Sequence, residues 1–68
     1  MNTAPTEYYL THKKKPVSVN GKLLIFTPKY LAANFGENAK DGSIVKLQGK
    51  EYTVNTLDAF TRMLLTAN

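Results

Sequence analysis

The chain has no cysteine, one histidine and one arginine among its 68 residues. Without cysteine there is no disulfide, and a lone His12 leaves no ligand set for structural zinc. Stability must come from apolar burial, near the lower size limit at which a single core suffices, so a homodimer stays open. With Arg62 as the only guanidinium, the bidentate fork that reads base edges is scarce. Nucleic-acid binding, if present, is then phosphate-directed. No run approaches the roughly 20 apolar residues of a membrane span. Met1 to Leu10 has neither the basic nor the long apolar region of a secretory signal. The expected location is the cytoplasm.

Charge is unevenly placed. Residues 1–34 hold five lysines against Glu7, whereas residues 35–68 hold three lysines and Arg62 against four acids. The whole formal excess of +4 therefore lies in the first half. A basic face suits a polyanion, although net charge also serves solubility in a small protein.

The sequence repeats. Val17-Ser18-Val19-Asn20-Gly21-Lys22 returns as Val45-Lys46-Leu47-Gln48-Gly49-Lys50, displaced by 28 residues (45 − 17). Each copy leads into an apolar-rich stretch and then a helix signal, so the chain reads as two hairpin-plus-helix units. Asn20-Gly21 suits a two-residue hairpin turn, in which both central residues need positive φ. That turn sets Val19 opposite Lys22, Ser18 opposite Leu23 and Val17 opposite Leu24. By strand alternation Val17, Val19, Leu24 and Phe26 share one face, and Ser18, Leu23 and Ile25 the other. In the second unit, Gln48-Gly49 puts Val45, Leu47, Tyr52 and Val54 on one face and opposes Lys46 to Glu51. Thr27-Pro28 predicts a helix start, Leu31 and Phe35 an apolar face, and Gly36 a left-handed end. The second helix is predicted from about Asn55-Thr56, with Asp58 in its first turn and Leu57, Phe60 and Leu64 on one apolar face with Met63 beside them. Glu37 to Ser43 reads as a turn-rich linker, and Tyr8 to Thr11 as a short edge strand before the Lys13-Lys14-Lys15-Pro16 interruption.

The expected fold is α+β: tandem ββα-ββα, a small mainly antiparallel sheet with two short helices packed on one face. Residues 1–7 are expected as a disordered tail and 8–68 as one domain, with units at 16–36 and 44–66.

No catalytic constellation is legible. His12 sits in a lysine-rich segment as an exposed side chain, the acids are scattered, and each glycine stands at a turn or cap. A non-enzyme without cofactor or metal is expected. Thr27-Pro28-Lys29-Tyr30-Leu31 onward to Gly36 resembles the first helix and turn of the small winged-helix excisionase family. Val45 to Phe60 resembles that family's wing hairpin and following helix. The family sets a recognition helix between these parts. Here the interval Glu37–Ile44, with Asp41-Gly42-Ser43 inside it, is too short and turn-rich for one.

Two functional readings follow. In the first, a small non-catalytic binding protein contacts nucleic acid through Lys13, Lys14, Lys15, Lys22 and Lys29, with Tyr8 and Tyr9 as stacking surfaces. A compact chain of this kind suits a phage or mobile-element accessory or regulatory protein. In the second, it is an interaction module that docks on a larger complex as inhibitor, adaptor or assembly factor. Leu23, Ile25, Met63 and Leu65 are then its apolar contacts.

Overall fold

In the computed structural model, which describes residues 6–66, both copies of the repeat make the same turn. Asn20 and Gly21 have φ of 54° and 79°, and Gln48 and Gly49 have 53° and 81°. These are the paired positive values that a type I′ hairpin requires. Ser18 lies opposite Leu23 and Val19 opposite Lys22. Val45 lies opposite Tyr52, Lys46 opposite Glu51 and Leu47 opposite Lys50, all as the sequence predicts.

The elements run β1 (Glu7–His12), β2 (Lys15–Pro16), β3 (Ser18–Val19), β4 (Lys22–Leu23), β5 (Ile25–Phe26), α1 (Pro28–Phe35), β6 (Ile44–Leu47), β7 (Lys50–Leu57) and α2 (Ala59–Thr66). The result is the expected α+β class, a mainly antiparallel sheet with two short helices packed against it. β1 lies inside the sheet: β7 runs along one side, while β2 and β5 share the other. Tyr8 to Thr11 is thus not the edge strand expected. Leu10 opposes Val54 and is 0% exposed. The strand already starts at Glu7, within the stretch expected as a tail, and residues 1–5 lie outside those described.

The two units use their hairpins differently. β6 and β7 stay in the main sheet, but the first hairpin divides at Val17 and Leu24. There Val17 N–H donates to Leu10 O and Leu24 N–H to Val17 O, each at 3.0 Å. β3 and β4 continue past this point as a separate two-stranded arm. Val17 and Leu24 therefore reach the core as expected, whereas Val19, out on the arm, is 51% exposed.

The core comprises Leu10, Phe26, Leu31, Val45 and Val54, flanked by Tyr8, Leu24, Phe35, Leu47 and Tyr52. α1 closes this side. Thr27 caps it, its Oγ1 accepting from Tyr30 N–H at 3.1 Å, and Pro28 occupies the first turn. Gly36 ends the helix with positive φ, but its ψ of 158° is extended rather than left-handed helical. The linker satisfies the open edge of β7: Val54 N–H donates to Ser43 O, and Thr56 N–H to Asp41 Oδ1 at 2.7 Å.

The second helix departs from expectation. β7 holds Asn55, Thr56 and Leu57 in strand, and the helix begins only after Asp58. Strand pairing with β1 wins over helical periodicity here. Asn55 Nδ2 donates to Thr11 Oγ1 at 3.0 Å, and Glu7 opposes Leu57. α2 approaches the side of the sheet shared by Glu7, Tyr9 and Ile25, where Arg62 pairs with Glu7. Phe60 and Leu64 consequently point outward, against the expected apolar core face, Met63 is exposed as expected of an uncovered apolar group, and the helix has no buried residue. Among the described residues, no helix is long and apolar enough to cross a membrane.

Asp58 Oδ1 accepts from Thr61 N–H at 2.7 Å. That backbone bond, then the Thr61 hydroxyl, then the Phe60 N–H hold the carboxyl below its usual range, against a small opposing effect of desolvation. A depressed native pKa stabilises the ionised cap above the unfolded value, and this support is lost as pH falls through the lowered native value. The α2 carbon shifts should therefore hold from neutral pH to about 4, near the ordinary aspartate value. Below it they should move toward coil while α1, capped by Thr27, stays put. An NMR titration checks this, and Asp58→Asn should flatten the response.

Candidate nucleic-acid interface

Antiparallel pairing fixes which turns share an end of the sheet. Thr11 opposes Thr53, so the turn after His12 lies beside the start of β7 and its Gln48-Gly49 turn. His12 makes the join, with Nδ1 3.2 Å from Glu51 O and its ring edge-on to Tyr52 at 5.6 Å. This end carries exposed Lys13, Lys14, Lys15, Lys46 and Lys50 against Glu51. Five lysines and one glutamate equal the formal +4 of the entire chain, so the charges elsewhere balance.

The first of these turns is unusual chemically. Lys13 and Lys14 both take positive φ, 52° and 66°. His12 faces Lys15 across them, a two-residue turn of the type in which asparagine and glycine normally sit. A left-handed conformation costs a non-glycine residue roughly 1–2 kcal/mol. The turn thus holds two ammonium groups outward at a conformational cost that Asn-Gly would avoid.

The residues expected to form one basic patch divide into three places. Lys13, Lys14 and Lys15 stand together at the end just described. Lys22 sits on the arm, which leaves the side of the sheet, and Lys29 lies in the first turn of α1, reached from β5 at the Tyr8 end of β1. Tyr8 and Tyr9 do not form a joint stacking surface. Tyr8 packs against the core while Tyr9 faces the other way beside Asn55, and both are half-buried. Sequence reasoning missed Lys46, Lys50 and the His12–Tyr52 pair. The second hairpin's register already placed Lys46 and Lys50 near a turn, but only the β1–β7 pairing brings that turn beside Lys13 and Lys14.

The expected interaction residues are partly gathered. Leu23, Ile25 and Leu65 line one groove, whereas Met63 is on the outer side of α2. Among the described residues, no three of His, Cys, Asp and Glu gather as metal ligands. The chain matches no family model, no curated protein and no solved structure.

Proposed function

We propose that this protein is a non-catalytic nucleic-acid-binding domain acting in the cytoplasm, and that the sheet end bearing the two turns contacts the phosphate backbone. One observation supports this above the rest: segments more than 30 residues apart deliver the full net charge of the chain to one end. Lysines at turn tips reach phosphates as mobile point charges, which gives affinity with little base preference. The His12–Tyr52 pair adds aromatic surface beside them. An accessory role in a phage or mobile element fits such sequence-tolerant binding. The interaction reading draws its support from the groove between the arm and the end of α2, considered below.

Fluorescence anisotropy with a labelled duplex across a salt series tests the proposal. Neutralising five phosphates gives a log-log slope of about −4.5, from about −0.9 per contact. Lys13, Lys14 and Lys15→Ala together should reduce the slope to about −1.8, while Lys22→Ala with Lys29→Ala leaves it nearly unchanged. Binding that ignores salt, or that survives the triple change with its slope intact, rules the proposal out.

A further inference from the structure

Phe60, Met63 and Leu64 occupy one side of α2 at i, i+3 and i+4, and are 65%, 59% and 61% exposed. Single exposed apolar residues are ordinary, but a contiguous stripe on a helix marks a surface that something covers. Beside the stripe, a groove of about 450 Å³ opens between the arm and the end of α2, with Leu23, Ile25 and Leu65 as its apolar wall. Leu64 and Leu65 are neighbours, so stripe and groove adjoin along the same helix.

We infer that a second copy of this chain covers this face, the Phe60–Met63–Leu64 stripe of each protomer entering the groove of the other about a two-fold axis. An isologous contact needs a self-complementary patch, and here projecting and receiving surfaces lie side by side. The area supports the same arrangement. Three large side chains roughly two-thirds exposed offer on the order of 350 Å², since one aromatic presents about 150–250 Å². Stripe and groove walls together offer somewhat over half of the roughly 800 Å² per partner of a standard interface, the size of a weak, concentration-dependent dimer. The monomer also has reason to gain from it. Only six hydrophobic residues among those described are buried, the chain has no cysteine, and at this length association is one of the few ways to enlarge a core. Arg62, the one charged residue within α2, is already paired with Glu7, and the charge the groove brings is the exposed Lys22 on its wall.

Sedimentation equilibrium of the full chain tests this, from about 5 μM to about 1 mM, where micromolar affinities resolve. The mass should rise from 7.6 kDa toward twice that value. Phe60→Ser with Met63→Ser and Leu64→Ser should weaken self-association at least about 30-fold while circular dichroism keeps its native form. So should Ser18→Arg with Thr66→Arg, which changes only exposed positions on the groove rim. A chain that stays monomeric throughout, as expected if the face serves a foreign protein, overturns the inference. So does a rim variant that associates like the parent, because stripe-on-stripe packing would then suffice. The nucleic-acid reading stands apart, since Lys13, Lys14 and Lys15 do not line the groove, although Lys22 does.

Discussion

Leu10→Ala is expected to leave most molecules unfolded at 25 °C. Leu10 is fully buried where β1 meets β7, and emptying such a site costs about 2–5 kcal/mol. A domain of 68 residues has roughly 3–10 kcal/mol in total, so this one side chain can consume the margin. Thermal and urea melts followed by circular dichroism measure the loss. Val19→Ala, on the exposed arm, should stay within about 0.5 kcal/mol of the parent. If Leu10→Ala melts like Val19→Ala, β1 is a dispensable edge and the central placement is wrong.

Phe26→Ala should be comparably severe, at about 3–5 kcal/mol, and should act by releasing α1. The Phe26 ring stacks on Tyr30 at 4.9 Å and meets Phe35 at 5.5 Å. It is the post against which an eight-residue helix is held, and a helix that short has little stability without packing. Near-ultraviolet circular dichroism should lose the tyrosine signal of the Tyr30 contact in any fraction that remains folded. Phe26→Leu, which keeps much of the volume, should cost far less. Equal destabilisation by both substitutions would mean that ring stacking, rather than filling, holds the helix.

These two sites fall on either side of what was legible in the sequence, Phe26 within it and Leu10 beyond it. Everything governed by neighbours along the chain could be read: the Asn20-Gly21 and Gln48-Gly49 turns, the cross-strand partners on either side of them, and the Thr27-Pro28 start of α1. Leu31 and Phe35 were correctly assigned inward because α1 follows directly from the strand it covers. The misreadings in β1, β7 and α2 arise from one non-local fact, the pairing of β1 with β7. No local pattern in Tyr8-Tyr9-Leu10 distinguishes an edge strand from a central one. Once β1 is central, β7 extends to Leu57, the helix start slips to Asp58, and the apolar side of α2 turns away from the core. The candidate site suffered in the same way. Counting charge along the chain found the basic half, but only the sheet register separates Lys22 and Lys29 from Lys13 and recruits Lys46 and Lys50.

The central position of β1 also sets a timetable. Glu7 pairs with Leu57, fifty residues later (57 − 7), so the strand that the ribosome delivers early waits for the one delivered late. At typical elongation rates of about 5–20 residues per second, the wait is roughly 3–10 s. During that interval β1 can associate with β2 and β5, but its other edge, along Tyr8, Tyr9 and Leu10, has no native partner. A nascent chain with an open strand edge is a template for pairing with another nascent chain. On a crowded polysome, the yield of folded protein is therefore expected to depend on how fast synthesis reaches β7, and slow codons between Gly36 and Lys50 should lower it.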